Sequence, residues 1–184
     1  MKPLEILPTG AWTDSDERNH KFDAGLAGAL VEFFDMQERP RIIDLGCGPG
    51  RYVFELSRHG HAALGYDGNP QSPFVQDRTC AVADLTSDLF YFSADWMLFL
   101  EVGEHIPAKH EPAIWNHLGH ARQGVILSWA TPGQSGHGHV NCREPEYIGQ
   151  KMADLGFVEG DAARLRVASA LEWFRRNLRI FTRC

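Results

Sequence analysis

The chain has 184 residues, which is enough for one domain of ordinary size and too few for two comfortable ones. Hydrophobic residues make up 43% and charged residues 23%, so the composition is that of a globular protein with a packed core and not that of a disordered chain. The 24 acidic residues outnumber the 18 basic ones, and the net charge of −6 disfavours nucleic acid as a partner because it offers no field that attracts a polyanion.

Helix-like and strand-like segments alternate along the chain. The predicted helices cover residues 22–36, 51–60, 107–122 and 143–157. The predicted strands cover residues 41–45, 61–67, 79–85, 94–101 and 124–130, with two last strands at 163–169 and 178–184 and a hairpin connection, LEWFRRN, before the final one. This alternation predicts an α/β fold: a Rossmann-like, seven-stranded, mostly parallel sheet with helices on both faces.

Residues 1–21 are expected to form an irregular N-terminal arm, a possible lid, and residues 22–184 a single domain. The start of the arm holds two prolines and lacks the apolar stretch of a signal peptide, and no run reaches the ~18 apolar residues of a membrane helix. The four cysteines form no C-x-x-C pair, a pattern typical of free thiols in a reducing compartment. Together these features predict a cytoplasmic protein with no membrane partner.

A glycine-rich turn, IIDLGCGPGRY, follows the first predicted strand at residues 42–52. Asp44 ends that strand, and the glycines permit both a tight turn and close approach of the backbone to a ligand. The spacing is G-x-G-x-G, and Arg51 stands where the dinucleotide fingerprint has its third glycine, which disfavours NAD and FAD.

Two further acidic residues follow the second and third strands. Asp67, in GYDGNP, is placed to accept the ribose hydroxyl groups of a nucleoside lying across the sheet edge. In the segment ADL, Asp84 is placed to bond an adenine amino group and Leu85 to pack on the adenine ring.

With these motifs, the chain from about residue 22 to residue 182 resembles the class I S-adenosylmethionine-dependent methyltransferases. DLGCGPG is similar to the first motif of that family, GYDGNP to the second, ADL to the third, and LEVGEHIP to the segment after the fourth strand. The resemblance implies S-adenosyl-L-methionine as the cofactor. It implies the cofactor-binding residues Asp44, Gly46, Cys47, Gly48, Gly50, Asp67, Gly68, Asn69, Asp84, Leu85, Glu101 and Val102.

The segment EVGEHIP places Glu104 and His105 after the fourth strand, where they are expected to lie beside the transferred methyl group. The loop SWATPGQSGHGHVN, residues 128–141, follows the fifth strand and so emerges at the same edge of the sheet. We expect this loop to close the site.

The histidines of these segments support three hypotheses. They could hold a metal through His137, His139 and His105 or Glu104; His139 or His105 could be the catalytic base, with Glu104 beside it; or they could only shape the loop. We favour the base and predict no metal, because a histidine pair two residues apart is a weak metal signal and a sulfonium methyl needs no Lewis acid. The predicted substrate-binding residues are Trp12, His20, Trp129, Gln134, His137 and His139.

The predicted activity is methyl transfer to an oxygen, nitrogen or sulfur atom of a small-molecule substrate. No Asn-Pro-Pro-Tyr-like run follows the fourth strand, and no cysteine follows a proline, so two classes of base methyltransferase are disfavoured. Two alternatives remain: a protein or peptide methyltransferase, and a module that binds the cofactor without catalysis.

Overall fold

The computed structural model describes residues 5–13, 20–72, 79–87 and 93–184. The strands are β1 (Arg41–Leu45), β2 (Ala62–Asp67), β3 (Cys80–Val82), β4 (Ala94–Leu100), β5 (Ala121–Ser128), β6 (Phe157–Gly160) and β7 (Arg179–Arg183). The helices are α1 (Ala24–Asp35), α2 (Arg51–Arg58), α3 (Glu111–Gly119), α4 (Pro145–Asp154), α5 (Ala163–Ala168) and α6 (Glu172–Asn177), with 3-10 turns at Gly103–His105 and Ala108–His110.

The seven strands form one sheet in the order β3-β2-β1-β4-β5-β7-β6. The first five strands are parallel, whereas β7 runs antiparallel to both β5 and β6. This confirms the predicted seven-stranded, mostly parallel sheet. Strand order reverses between β1 and β4, so a crevice is expected at their carboxyl ends.

Helices cover both faces of the sheet, which explains why the central strands are almost continuously hydrophobic. Successive side chains of a strand point to opposite faces. Accordingly, Ile42 packs among residues of α1, α2, α5 and α6, while Ile43 packs among residues of α3 and α4. The core therefore has two halves separated by the sheet.

The prediction for residues 163–169 is wrong, because this segment is the helix α5 and the sixth strand lies earlier, at Phe157–Gly160. In a strand, Leu165 and Val167 would point to the same face. In the structure Leu165 is 2% exposed and Val167 is 82% exposed, as expected for two helical positions on different sides. The predicted hairpin connection is also wrong, since LEWFRRN lies largely within helix α6.

The described part of the N-terminal arm includes a turn. Residues 5–13 form a tight antiparallel turn in which Ile6 bridges Trp12 and the Leu7 N–H donates to the Ala11 carbonyl at 2.8 Å. The remainder of the predicted arm, at residues 1–4 and 14–19, lies outside the described residues. No helix in the described ranges has the length and apolar character needed to cross a bilayer.

Candidate functional site

A cavity of about 680 Å³ opens at the carboxyl edge of the parallel strands. Its wall is built from the N-terminal turn, the glycine loop after β1, the segments after β2, β3, β4 and β5, and helix α6. Both the position and the size are those of a binding site for a cofactor or small molecule in an open α/β sheet.

The glycine loop and Asp67 hold each other in place. Gly46 has φ +80°, and a Cβ atom there would lie 2.4 Å from a methyl carbon of Val102, so only glycine permits this close approach. The Asp67 carboxylate accepts hydrogen bonds from the N–H groups of Gly48 and Asn69, each at 2.7 Å. The same carboxylate that faces the cavity therefore fixes the backbone of the loop.

Asp44 and Asp67 both have raised pKa values, so a positively charged ligand or a hydrogen-bond donor would stabilise their ionised forms. Burial raises the pKa of Asp44 well above its ordinary value, and the nearby Cys80 and Asp67 add to the rise. Burial also raises the pKa of Asp67, although its two backbone hydrogen bonds oppose this. Carboxylates with raised pKa values in a cleft are typical of functional sites.

Most of the predicted cofactor-binding residues line this cavity. They are Asp44, Gly46, Cys47, Gly48, Asp67, Gly68, Asp84, Leu85, Glu101 and Val102. Gly50 and Asn69 are outside the lining: a Cβ at Gly50 would lie 2.3 Å from Cys80 Sγ, and Asn69 Oδ1 accepts from the Gln71 N–H at 2.9 Å within the turn. Both residues therefore lie within the loops and outside the cavity wall.

Two acidic side chains lie side by side after β4. Glu104 is fully buried, and within the described part of the chain no hydrogen bond of normal geometry reaches either of its carboxylate oxygens. Burial raises its pKa well above the ordinary value and the neighbouring charge of Glu101 raises it further, although backbone groups of Glu104 and Ala130 offset part of the rise. A buried carboxylate without hydrogen-bond partners destabilises the fold, so a ligand that supplies such partners to Glu104 would be stabilising.

The second of the two acidic residues, Glu101, has an unusual backbone conformation. Its φ is +54°, a left-handed conformation that costs a non-glycine residue about 1–3 kcal/mol. One oxygen, Oε2, accepts from Gln134 Nε2 at 3.2 Å, whereas Oε1 is buried without a hydrogen-bond partner among the described residues. Burial raises the pKa of Glu101 as well.

His105 and His139 meet at the same place, with ring centroids 5.1 Å apart. Backbone carbonyl groups hold both rings: the Gly138 oxygen lies 3.3 Å from His105 Nδ1, and the Gln134 oxygen lies 3.0 Å from His139 Nδ1. A carbonyl can only accept, so in each neutral ring the proton is on Nδ1 and the lone pair is on Nε2. Glu104, His105 and His139 each offer one ligand-type atom, and the three atoms lie within 4.8 Å of one another.

His105 is poorly suited to be a catalytic base at neutral pH. Burial lowers its pKa to about 4, and the neighbouring His139 contributes to the decrease. Because general-base catalysis is most effective when the pKa lies near the working pH, the neutral His105 is a better ligand or hydrogen-bond acceptor than a proton acceptor.

The N-terminal turn covers this group. The Trp12 ring lies 5.2 Å from the His105 ring and 6.0 Å from the His137 ring, measured between centroids. Gly10 has φ +91°, and a Cβ there would lie 2.2 Å from the His105 carbonyl oxygen, so the turn sits tightly on the segment after β4. Within the described residues, Trp12 Nε1 is buried and has no hydrogen-bond acceptor, which leaves it as a donor for a ligand.

Five of the six predicted substrate-binding residues line the cavity: Trp12, His20, Gln134, His137 and His139. His20 lies near the glycine loop, because a Cβ at Gly48 would come within 2.9 Å of its Nδ1. Trp129 was predicted wrongly as a wall of the site. It is 3% exposed, stacks on Trp115 in the core and donates its Nε1–H to the Asn141 carbonyl at 2.7 Å. The Trp129 side chain is therefore part of the core and not of the cavity wall.

Two aromatic residues of the site were not predicted. Trp173 and Phe174, in helix α6, line the cavity. The side-chain amide of Asn177, also in α6, donates to Gln134 Oε1 at 2.7 Å and connects this helix to the loop after β5. The adjacent aromatic pair in LEWFRRN was the available signal, and the hairpin interpretation obscured it.

No family model matches the chain. The 23S rRNA (uracil(1939)-C(5))-methyltransferase RlmD of Cupriavidus pinatubonensis is 32% identical over 57 residues, which is 31% of this chain and 12% of that enzyme. RlmD of Francisella tularensis subsp. novicida is 27% identical over 78 residues, 42% of this chain and 17% of that enzyme. The chain therefore spans well under a fifth of the curated relatives that it matches.

The fold of this chain is similar to the folds of solved methyltransferase structures over most of its length. Magnesium protoporphyrin IX methyltransferase (ChlM) from Synechocystis PCC 6803 with bound SAH has a TM-score of 0.64 at 18% identity and covers 86% of this chain and 81% of that one. A TehB-like SAM-dependent methyltransferase from Corynebacterium glutamicum has a TM-score of 0.63 at 17% identity, covering 87% and 88%. The sugar N-methyltransferase KedS8 from Streptoalloteichus has 0.64 at 15%, covering 87% of each. These likenesses establish the fold.

Proposed function

We propose that this chain, which has the class I methyltransferase fold, is an enzyme that transfers a methyl group from S-adenosyl-L-methionine to an oxygen, nitrogen or sulfur atom of a small molecule. The observation that carries the proposal is a single cavity at the carboxyl edge of the sheet. One part of the cavity is lined by acidic residues in the positions expected for cofactor binding. The other part is lined by polar residues that follow β4 and β5.

The cofactor half of the cavity suits a positively charged nucleoside. The buried Asp44 would receive the ammonium group of the methionine part, which would offset the cost of its burial. Asp67 would accept the ribose hydroxyl groups while it continues to hold the glycine loop. Asp84 and Leu85, both in the cavity wall, would bind the adenine. The ChlM structures with bound SAH and SAM support this choice of cofactor.

The other half of the cavity is proposed to hold the acceptor. Glu104, His105 and His139 would contact the atom that receives the methyl group, while His137 shapes the loop and Trp12 Nε1 donates a hydrogen bond to the substrate. Methyl transfer is an in-line displacement on an activated carbon, so the protein contributes mainly alignment and exclusion of water. The catalytic base predicted at His139 remains a prediction.

A small molecule is favoured over RNA and protein because the N-terminal turn packs on His105 at one end of the cavity. The N-terminal turn and the loop after β5 both contribute to its wall, and we propose that the arm, residues 1–21, acts as a lid. Two of the similar structures are named for a porphyrin and a sugar, both small molecules. The matches to RlmD cover too little of that enzyme to transfer its RNA substrate to this chain.

The proposal is tested by incubating the full chain with S-adenosyl-L-methionine labelled in its methyl group and three separate acceptor pools: metabolites of low mass, total RNA and total protein. We expect label in the low-mass pool, together with formation of S-adenosylhomocysteine. Label in RNA or protein would overturn the assignment of substrate class. Tight cofactor binding without transfer to any pool would identify a binding module without catalysis.

A further inference from the structure

The group formed by Glu104, His105 and His139 has the composition of a metal site. Two imidazoles and one carboxylate suit first-row divalent transition ions better than magnesium or calcium, which prefer oxygen ligands alone. Ligand atoms at about 2.0–2.2 Å from a zinc-type ion lie up to about 4.4 Å apart. The three candidate atoms lie within 4.8 Å of one another, and Glu104 Oε1 lies 4.0 Å from His105 Nε2. Small side-chain rotations would therefore bring them onto one ion.

The hydrogen bonds of the two histidines leave a lone pair, and not a proton, on the second nitrogen of each neutral ring. His105 and His139 each use Nδ1 on a backbone carbonyl, so Nε2 is the atom that each neutral ring has left to offer. Metal-binding histidines in proteins commonly have this arrangement, in which the second ring nitrogen donates to a carbonyl group and fixes the ring.

The carboxylate at the same point lacks the donors that its burial requires. Both oxygens of Glu104 are buried without a hydrogen-bond partner among the described residues, and Oε1 of the adjacent Glu101 is in the same condition. Glu104 Oε1 lies 4.0 Å from His105 Nε2, beyond the distance of a direct hydrogen bond. A cation between them would satisfy both, and would also offset the repulsion between the two carboxylates.

We infer that Glu104, His105 and His139 bind one divalent first-row transition ion at the acceptor end of the cavity. The inference goes beyond the proposed function and does not depend on it. If the metal site and the proposed function both hold, the ion would have coordination positions that no protein atom fills. An acceptor in the cavity would bind there through an oxygen atom. His139 would then be a ligand and would not be the base.

Metal binding is measured on the full chain after treatment with EDTA and removal of the chelator. Calorimetric titrations with zinc, manganese, cobalt, magnesium and calcium chlorides should give one site per chain for at least one of the first three ions. Magnesium and calcium should bind at least about tenfold more weakly. If none of the five ions binds, or if magnesium and calcium bind best, the inference is overturned.

The ligands are tested with Glu104→Gln and His139→Gln, which keep nearly the volume of the original side chains. Each should weaken metal binding by about 100-fold or more. Loss of a residue that only supports a ligand typically weakens metal binding by about 10–100-fold, and loss of a ligand itself should weaken it at least as much. His59→Gln is the control, because His59 is an exposed histidine at the end of helix α2 and lies outside both the cavity wall and the three proposed ligands. It should bind within about twofold of the original protein. Equal losses in all three variants, or no loss in the first two, would contradict the site.

A spectroscopic measurement on the unaltered protein covers the case in which a variant fails to fold, as judged by circular dichroism. Cobalt bound to two nitrogens and a carboxylate should show visible absorption bands distinct from those of the aqueous ion. An aqueous spectrum would overturn the inference. A thiolate charge-transfer band would show that Cys142, whose sulfur lies 3.9 Å from His139 Nδ1, is a ligand and that the stated set is wrong. Cofactor binding by the same metal-free sample is measured separately, so failure of the metal site is distinguishable from failure of the proposed function.

Discussion

Asp67 performs a structural task before any cofactor binds. Its carboxylate accepts the N–H groups of Gly48 and Asn69, each at 2.7 Å, and so links the end of β2 to the glycine loop after β1. Carboxylate oxygens have further lone pairs, which would remain available to ribose hydroxyl groups. One residue therefore couples the shape of the loop to the proposed recognition of the cofactor.

The Asp67→Asn variant should bind S-adenosyl-L-methionine about tenfold to hundredfold more weakly than the original protein, because charge-assisted hydrogen bonds contribute about 1.5–3 kcal/mol. Isothermal titration calorimetry gives the affinity, and circular dichroism checks the fold. Asp154→Asn, which changes an exposed residue at the end of helix α4, is the control and should bind normally. Undiminished affinity in the Asp67 variant would contradict the proposed ribose contact.

At the scale of elements, backbone hydrogen bonds and an ion pair hold the C-terminal end of the loop after β5. At its end, the Arg143 N–H donates to the Ala130 carbonyl at 3.0 Å, and the N–H groups of Val140 and Asn141 donate to the Glu104 carbonyl. Arg143 also forms an ion pair with Glu111, at the start of helix α3. These contacts determine where the histidines of the loop lie relative to the segment after β4.

Glu111 is the centre of this anchor. It accepts hydrogen bonds from the Arg143 guanidinium group, the Tyr147 hydroxyl group at 2.5 Å and Trp115 Nε1 at 3.3 Å. Burial alone would raise the pKa of Glu111, but the hydrogen bonds from Tyr147 and Arg143 outweigh it and hold the pKa below its ordinary value. Helices α3 and α4 and the end of the loop are thus joined at one carboxylate.

The Glu111→Gln variant should lower the free energy of unfolding at pH 7 by about 1–3 kcal/mol, as expected for loss of buried charge-assisted hydrogen bonds. The pKa of Glu111 is lower in the folded state than in the unfolded state. Its ionised form therefore stabilises the protein above the ordinary glutamate pKa of about 4.3, and this stabilisation is lost as the pH falls through the folded-state pKa. Urea unfolding at several pH values measures the difference.

The difference between the original protein and Glu111→Gln should accordingly be largest near neutral pH and shrink below about pH 4.3. Glu38→Gln, at an exposed position between α1 and β1, is the control and should change stability little at any pH. A difference that stayed constant down to acidic pH would show that the charge of Glu111 is not the stabilising feature.

At the scale of the whole molecule, the cavity is assembled from segments far apart in the chain. The N-terminal turn packs on His105, the loop after β5 contacts the same residue through the Gly138 carbonyl, and α6 contributes two aromatic side chains. A ligand that fills this cavity contacts most of these segments at once. Its binding should therefore stabilise the folded domain as a unit.

Addition of S-adenosyl-L-methionine at 100 times its dissociation constant should stabilise the fold by about 2.7 kcal/mol, which raises the Tm of a domain of this size by about 5–10 °C. Differential scanning calorimetry measures the shift. NAD at the same concentration is the comparison and should have little effect, because the glycine turn lacks the dinucleotide spacing. A larger shift with NAD would contradict the proposed cofactor.

Local patterns were sufficient to predict most of the fold. The buried runs at β1, β4 and β5 predicted strands because both faces of a parallel sheet are covered, and the glycine turn after β1 predicted a tight passage into α2. The segment 163–177 was predicted less well, because it forms the helices α5 and α6 and not a strand and a hairpin connection. Leu165 and Val167 have the spacing of a strand, but in the structure this segment is the helix α5, which packs against α1.

The sequence by itself determined the order of the elements from α1 to α4, the edge of the sheet where the cavity opens and the acidic residues at that edge. These follow from residue type and local spacing. The tertiary structure alone decided that Glu104, His105 and His139 converge, that Trp12 covers them and that Trp129 turns into the core. Such contacts depend on how loops from distant parts of the chain pack and on which ring nitrogen each backbone carbonyl holds, and no local pattern encodes these features.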